Sequence, residues 1–351
     1  MTRTSAALGL AALAAIAGCK RRESSALTPP AGPPTAGTPA GSPTSAPTSL
    51  EATVQARLDS LPAQSSFYAR DIRTGREVAV RADQPMNTVS VIKLAVMVLA
   101  YRDADAGRLR LSERHRIRPE EMRQGSGVLR MFTPGLEPTY RDLITQMIAT
   151  SDNTATDILI ARLGLPRVNR LLDSLGFPET RLRMTIGDLF RGVWVRIDSA
   201  NARLTDRQVY DRGFPDDSTG TGLYLRYVTD STRWFGRSTA REIGLFLEQL
   251  ELGRLASEAS TEEMRRALLN QVWDTRLPQR IGERVSVGHK TGDWEPQIGN
   301  DVGIVFAPGG PIVMAAFTNA NTGPMWKLNA ALGKVAEDVL NAWTTAPSTT
   351  R

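Results

Sequence analysis

Cysteine and histidine are scarce in this chain, and their scarcity excludes several kinds of site. Among 351 residues there is one cysteine, Cys19, and there are two histidines, His115 and His289. A single cysteine cannot form a disulfide within the chain, and no cysteine–histidine zinc cluster can be assembled. A Ser-His-Asp triad would have to use one of two imidazoles, of which His115 lies in an arginine-rich segment and His289 directly precedes Lys290. We expect no metal site and no cofactor.

The chain also lacks runs of basic residues interleaved with aromatic ones, which would indicate a nucleic-acid surface. Its net charge of +6 and isoelectric point of about 9.7 are better explained by a composition rich in arginine, so we expect no nucleic-acid partner. With 41% hydrophobic and 23% charged residues, the composition is that of a soluble globular protein with a large core.

Lysine is the third scarce residue, because arginine replaces it almost everywhere. Between Lys20 and Lys327 the only lysines are Lys93 and Lys290. Arginine stays protonated in proteins, whereas a buried lysine can lose its proton and act as a base. Unless they were retained by chance, these two lysines are candidates for chemistry.

No apolar run near the N-terminus is long enough to span a bilayer. Residues 6–17 are apolar and follow an early arginine, which is typical of a secretory signal peptide over residues 1–18. The end of this segment, Ile16-Ala17-Gly18-Cys19, resembles a bacterial lipobox. That resemblance implies lipidation of Cys19 and a protein exported and anchored to a bacterial membrane, facing the periplasm or the cell surface. The alternative is an ordinary cleaved signal with an incidental cysteine.

Residues 19–49 predict a disordered tether, because they are mostly Pro, Gly, Ser, Thr and Ala. Residues 50–345 predict a mixed α/β domain with a hairpin around Thr74-Gly75. Its helical segments are 90–104, 140–149, 153–163, 167–175 and 239–252, its later β-rich runs are 284–292, 301–308 and 311–319, and a helix closes it. We expect one sheet built from both ends, 50–87 and 250–345, with a helical part at 88–249.

Three short motifs carry candidate chemistry. Ser90 and Lys93 would share one helix face in an apolar segment, so the amine could activate the hydroxyl. Alone this spacing is weak, because a capping serine and a snorkelling lysine would look the same. Further along lie Ser151-Asp152-Asn153 and Lys290-Thr291-Gly292, so the two motif lysines are also the two that the arginine bias spared.

The order S-x-x-K, S-D-N, K-T-G resembles that of penicillin-binding proteins and class A β-lactamases. The resemblance extends over about residues 50–345, apart from one insertion. It implies an α/β fold with an antiparallel sheet flanked by helices, an all-helical subdomain, and an active site in the cleft between them. It also implies a serine hydrolase that opens β-lactam rings.

The resemblance assigns the acylation chemistry to three residues. Ser90 would attack the carbonyl carbon, Lys93 would be the base or a proton relay, and Ser151 would pass a proton to the leaving nitrogen. Asp152 and His289 would be structural.

Substrate contacts follow from the same resemblance. Asn153 would bind the side-chain amide of the substrate. Lys290 and Thr291 would hold Ser151 and the substrate carboxylate, with Gly292 beside them. The backbone N–H groups of Asp293 and Ser90 would form the oxyanion hole.

The chain departs from the family where the deacylating base belongs. Counting on from Thr180-Arg181-Leu182, Ile186 stands where the family has its glutamate and Phe190 where it has an asparagine. Asp188 is a candidate base, with a solvated loop aspartate or a helix cap as the alternative. The segment 184–236 is also longer than the family's loop, so a substitute base could come from this insertion.

Two further departures concern the substrate carboxylate. Asp293 stands where the family often has a small residue, and its carboxylate would repel that of the substrate unless it points away. Asn300 stands where an arginine commonly assists.

The leading hypothesis is a monomeric β-lactamase that acts through an acyl-serine. The alternatives are a peptidoglycan D,D-peptidase, an esterase on the same fold, or a penicillin-binding lipoprotein that releases its acyl group slowly or not at all.

Overall fold

The computed structural model describes residues 49–215 and 222–344. The predicted signal peptide, the lipidation site Cys19 and the tether up to residue 48 lie outside the described residues. Within the described ranges, no helix has the length and apolar character needed to cross a membrane.

The strands form two antiparallel sheets. The larger has the order β2-β1-β8-β7-β6 and the smaller the order β3-β5-β4. Their bounds are β1 Gln64–Asp71, β2 Glu77–Val80, β3 Met86–Asn87, β4 Arg181–Leu182, β5 Gly236–Ser238, β6 Ser286–Trp294, β7 Ile298–Ala307 and β8 Gly310–Asn319. The central pairing joins the two chain ends, since Phe67 of β1 faces Ala316 of β8. The predicted α/β fold, with one antiparallel sheet built from both ends, is confirmed.

In the described residues, α-helices pack on both faces of the large sheet. Most of them lie between β3 and β6 along the chain. Their bounds are α1 Leu50–Asp59, α2 Lys93–Asp105, α3 Tyr140–Ala149, α4 Asn153–Leu163, α5 Leu165–Ser174, α6 Ile186–Ile197, α7 Asp206–Arg212, α8 Leu223–Thr229, α9 Ala240–Glu251, α10 Glu258–Leu269 and α11 Met325–Thr344. The three helices α6, α7 and α8 fall within the insertion 184–236.

Alternation along β1 places two hydrophobic cores on opposite faces of the large sheet. Phe67 points to the side covered by α1 and α11, whereas Tyr68 points to the side covered by α9 and the helical part. Because α9 packs directly on β1 and β8, the sheet layer begins near Ala240. The predicted boundary at residue 250 therefore differs from the structure.

The helix α2 lies at the centre of the helical part. All residues from Lys93 to Tyr101 are buried, and α3, α4, α5 and α10 pack around them. A helix that is apolar on every side is expected in such a central position. Its N-terminal turn reaches the large sheet and brings the Ser90 motif there.

The small sheet joins the two ends of the insertion. Leu182 of β4 pairs with Gly236 of β5, so the chain leaves and re-enters the helical part at one place. This pairing lets the segment between them form its own helices without altering the strands on either side.

Candidate active site

Ser90 lies in a strained 3₁₀ turn, Val89–Ile92, that leads directly into α2. Val89 has φ 40°, a left-handed conformation that is costly for a β-branched residue. The Asn87 side chain accepts the Val89 N–H at 3.1 Å, and Asn300 Nδ2 donates to the Asn87 carbonyl at 2.9 Å. Side chains from the sheet therefore hold the turn that presents Ser90.

The strand β6 approaches this turn more closely than a side chain would allow. A Cβ atom on Gly292 would lie 2.6 Å from the Thr88 carbonyl oxygen and 3.0 Å from Val89 Cγ2. Glycine is therefore required at this position of the K-T-G motif, and it brings the neighbouring Lys290 close to the serine turn.

Ser151 lies between the two motif lysines. Lys290 Nζ donates to Ser151 Oγ at 3.0 Å, and Lys93 Nζ lies 3.3 Å from the same oxygen. Lys93 Nζ also donates to the Ser151 carbonyl at 2.7 Å and to Asn153 Oδ1 at 2.8 Å. Ser151 has φ 56°, a further left-handed conformation at a motif residue. The structure thus brings all three motifs together around one hydroxyl.

Burial of both lysines favours their neutral forms. Burial lowers the pKa of Lys93 well below its usual value, and the positive charge of Lys290 lowers it further. Burial lowers the pKa of Lys290 to about 7, against the opposing effect of the Asp293 and Asp301 carboxylates. Near neutral pH, Lys93 can therefore hold a free electron pair, as a base must.

The remaining S-D-N residues have distinct partners. Asp152 caps α4 by accepting the Ala155 N–H at 2.9 Å, and it also accepts the Leu129 N–H at 2.8 Å, so its role is structural. Asn153 lines the cavity described below and donates through Nδ2 to the Gln124 carbonyl at 2.9 Å.

The two residues that flank Lys290 differ in their hydrogen bonds. His289 is buried, and its Nδ1 lies 2.8 Å from Asp301 Oδ1, so it ties β6 to β7 rather than facing Ser90. The Thr291 hydroxyl is buried without a hydrogen-bond partner among the described residues. Such a hydroxyl costs about 1–3 kcal/mol, which an acceptor on a substrate could offset.

Asp293 points towards Arg276, a residue that no sequence motif singles out. The guanidinium of Arg276 is bonded to the Asp293 carboxylate and donates to the Asn300 carbonyl at 3.2 Å and to Asn329 Oδ1 at 3.0 Å. Arg276 is only 2% exposed. The Asp293 carboxylate is therefore turned towards a buried cation, which answers the repulsion expected from it.

The structure does not place Asp188 where a base would act. Thr185 caps α6 by accepting the Asp188 N–H at 3.0 Å, and its hydroxyl donates to Asp188 Oδ2 at 2.8 Å. The Asp188 side chain is 53% exposed and paired with Arg191. It does not line the cavity that contains Ser90. Asp188 is thus a helix-capping residue, which corrects its assignment as a candidate base.

The position of α6 is set by a buried carboxylate. Asp157 of α4 accepts the N–H groups of Ile186 at 2.7 Å and Gly187 at 2.9 Å. Arg123 binds Asp157 and also Asp206 at the start of α7, each at 2.6 Å. The first turns of both helices are therefore fastened to α4, which carries Asn153.

Ser90 opens into a cavity of about 370 Å³. Its polar wall includes Asn153, Asp293 and Glu295, and its apolar wall comes largely from the insertion. The apolar side chains are Val89, Ile186, Leu189, Phe190, Phe214, Tyr224, Phe235 and Trp294. No group of three or more His, Cys, Asp or Glu side chains in residues 49–215 and 222–344 could hold a metal ion.

Comparisons with known proteins identify the family and the fold. A β-lactamase of Streptomyces fradiae is 28% identical over 275 residues, which cover 75% of this chain and 77% of the relative. A solved β-lactamase structure from Sphaerobacter thermophilus is 26% identical with a TM-score of 0.67, over 85% of this chain and 98% of that one. The structure of PBP-A is 22% identical, with a TM-score of 0.66 over 84% and 95%, and supports the fold. The model of the β-lactamase enzyme family matches residues 49–343, and this chain belongs to that family.

Proposed function

We propose that this protein hydrolyses β-lactams through an acyl-enzyme on Ser90, with a mechanism like that of class A β-lactamases. The observation that carries the proposal is the convergence of Lys93 and Lys290 on Ser151 beside the Ser90 turn. The named relatives, which are β-lactamases, support the substrate class.

Acylation follows from the hydrogen bonds of Lys93. A neutral amine has two hydrogens and one electron pair, and its shortest contacts, to the Ser151 carbonyl and Asn153 Oδ1, use both hydrogens. The electron pair can then take the hydroxyl proton as Ser90 Oγ attacks the lactam carbonyl. As the C–N bond breaks, Ser151 gives its hydroxyl proton to the ring nitrogen and receives the proton held by Lys93, whose Nζ lies 3.3 Å from Ser151 Oγ, while Lys290 donates to the same oxygen.

Hydrolysis of the acyl-enzyme is proposed as the slow step. Around Ser90, the side of the cavity formed by α6 presents Ile186, Leu189 and Phe190, none of which can activate water. Of the two carboxylates that line the cavity, that of Asp293 is paired with Arg276. A positioned general base typically contributes about 100- to 10,000-fold to a rate. Slow release is also what a penicillin-binding protein would show.

Export, lipidation of Cys19 and action as a monomer are further parts of the proposal. Export and lipidation are supported by the short apolar segment, the lipobox resemblance and the Pro-rich tether of the sequence. Mass spectrometry of the membrane fraction would test the anchor, since the mature chain should begin at a diacylated Cys19.

The proposed function predicts that Ser90→Ala abolishes turnover. Purified protein is mixed with a chromogenic cephalosporin, and both the colour change and the intact mass are followed. We expect a burst close to one equivalent, then slower turnover, and an adduct on Ser90; the Ser90→Ala protein should show none of these. Absence of both adduct and turnover in the unmodified protein would refute β-lactam hydrolysis and leave peptide or ester substrates.

The acylation rate should fall as the pH rises through about 7 when the substrate is an anion. Lys290 is a cation below its pKa of about 7 and neutral above it, so its attraction to a substrate carboxylate is lost at higher pH. A hydrogen bond to a charged group is worth roughly 1.5–3 kcal/mol, so we expect a fall in kcat/KM of about tenfold or more between pH 6 and 9. The measurement is stopped-flow acylation by benzylpenicillin.

The methyl ester of benzylpenicillin is the matched control for this pH profile. It carries no carboxylate, so its acylation should not decline through pH 7. An equal decline for acid and ester would show that the titrating group acts on the chemistry and not on the substrate charge.

A further inference from the structure

The insertion forms an aromatic wall over the reactive serine. Phe190 of α6 meets Phe214 at 4.8 Å between ring centroids, with an interplanar angle of 79°. Phe214 in turn meets Trp294, at the end of β6, at 6.3 Å and 85°. Edge-to-face contacts of this kind are the favoured geometry for aromatic pairs. The rings therefore support one another and connect the insertion to the strand that carries the K-T-G motif.

Two further rings of the insertion contact Trp294. The Tyr227 ring stacks on Trp294 at 6.0 Å and 28°, and the Tyr224 ring contacts it edge-on at 6.0 Å. Tyr227 is buried, and its hydroxyl donates to the Leu189 carbonyl of α6 at 3.0 Å. Trp294 is thus held between two elements of the insertion.

The wall is a continuous part of the Ser90 cavity. Phe190, Phe214, Tyr224 and Trp294 line the same space of about 370 Å³ as Ser90 and Asn153. The carboxylates in this space are those of Asp293 and Glu295. A neutral aromatic group would remove its apolar surface from water there, whereas an anionic group would meet the carboxylate of Glu295, that of Asp293 being paired with Arg276.

We propose that the insertion 184–236 builds a pocket for the acyl side chain of the substrate, and that this pocket selects a neutral aromatic group. The inference rests on the proposed function and names the substrate class of that site. Phe214 is the principal selective residue, because it is 43% exposed and contacts both Phe190 and Trp294. A phenyl group on the substrate would continue this edge-to-face arrangement.

The test compares two penicillins that differ only in the phenyl ring: benzylpenicillin and 6-acetamidopenicillanic acid. Burying a phenyl side chain should raise kcat/KM for acylation of Ser90 by about 10- to 100-fold. Phe214→Ala should reduce this ratio at least about threefold. A ratio between two substrates is unaffected by the fraction of folded protein, so loss of stability alone would not move it.

Phe132→Ala is the matched control, because Phe132 is a similarly exposed phenylalanine, at 52%, that does not line the cavity. It should leave the ratio unchanged. Equal kcat/KM values for the two penicillins, or a ratio that Phe214→Ala does not alter, would overturn the pocket.

Binding to the Ser90→Ala protein separates this inference from the proposed function. Calorimetric titration of the two penicillins into that variant needs no reaction. At least about tenfold tighter binding of benzylpenicillin supports the pocket even where the unmodified protein forms no adduct, in which case only the proposed function fails. Equal affinities, or no binding of either, would count against the pocket.

Discussion

Replacing Lys93 with alanine should lower the rate of Ser90 acylation by about 100- to 10,000-fold, the usual contribution of a positioned general base. The Lys93 side chain is fully buried, and burial together with the nearby Lys290 lowers its pKa, so it can take a proton near neutral pH. Rapid-quench mass spectrometry of the acyl adduct measures the rate without depending on release. Lys327→Ala is the matched control, since Lys327 is exposed on α11.

The Lys93→Ala variant also leaves two hydrogen-bond acceptors without a donor. The resulting loss of stability must be separated from the loss of the base. Without Lys93, the Ser151 carbonyl and Asn153 Oδ1 lose their contacts at 2.7 and 2.8 Å. Thermal unfolding of the variant and of Lys93→Met, which restores much of the lost volume, shows how much stability each substitution costs. Acylation at the unmodified rate by either folded variant would rule out Lys93 as the base.

The motif residues could be predicted because each depends on chemistry that shows in sequence. Lysine is a costly residue to bury, and in a chain biased to arginine the retention of Lys93 and Lys290 singles them out. The structure buries both completely and places both at Ser151. The hydrophobic periodicity likewise predicted the sheet and the main helices, since it reports directly which faces are buried.

Other residues of the site could not be predicted, because they act through long-range contacts. Arg276 is one of many arginines, and its loop has no periodic pattern, so its approach to Asp293 depends on the tertiary fold alone. The same holds for Asn300, which reaches Asn87 beside the serine turn from a strand more than 200 residues away along the chain. Neither residue type nor local spacing distinguishes such positions.

The sequence around Asp188 is compatible with two roles, a catalytic base and a helix-capping residue. Thr185 and Asp188 have the three-residue spacing of a helix-capping pair, and an apolar segment follows them. A carboxylate near the expected base position suggested catalysis, whereas the local pattern specified a helix start. In the structure Asp188 has the capping role, because Asp157 binds the N-terminus of α6 and Asp188 lies on its exposed side. The apolar side of α6 then faces Ser90.

Restoring a carboxylate at the first position of α6 should therefore accelerate release of the acyl group. Ile186 lines the Ser90 cavity and is 2% exposed. A glutamate is close to isoleucine in size, and a carboxylate in the first helical turn is favoured by about 0.3–1 kcal/mol. We expect Ile186→Glu to raise the rate of acyl-enzyme hydrolysis by about 100- to 10,000-fold. The measurement is the decay of the Ser90 adduct after excess benzylpenicillin is removed.

Ile186→Gln is the control that isolates the base, because the amide has nearly the same shape and polarity but cannot accept a proton from water. Its adduct should decay as slowly as that of the unmodified protein. Equal decay for the glutamate and glutamine variants would attribute any gain to water entry through a less apolar wall. Fast decay in the unmodified protein would show that another group, such as Glu295 at the cavity wall, already activates water. Ile186 is 2% exposed and its N–H is bound by the buried Asp157 carboxylate, so a new carboxylate here is costly to bury. Thermal unfolding of both variants tests whether α6 keeps its place, and the rate of release reports on the missing base only where it does.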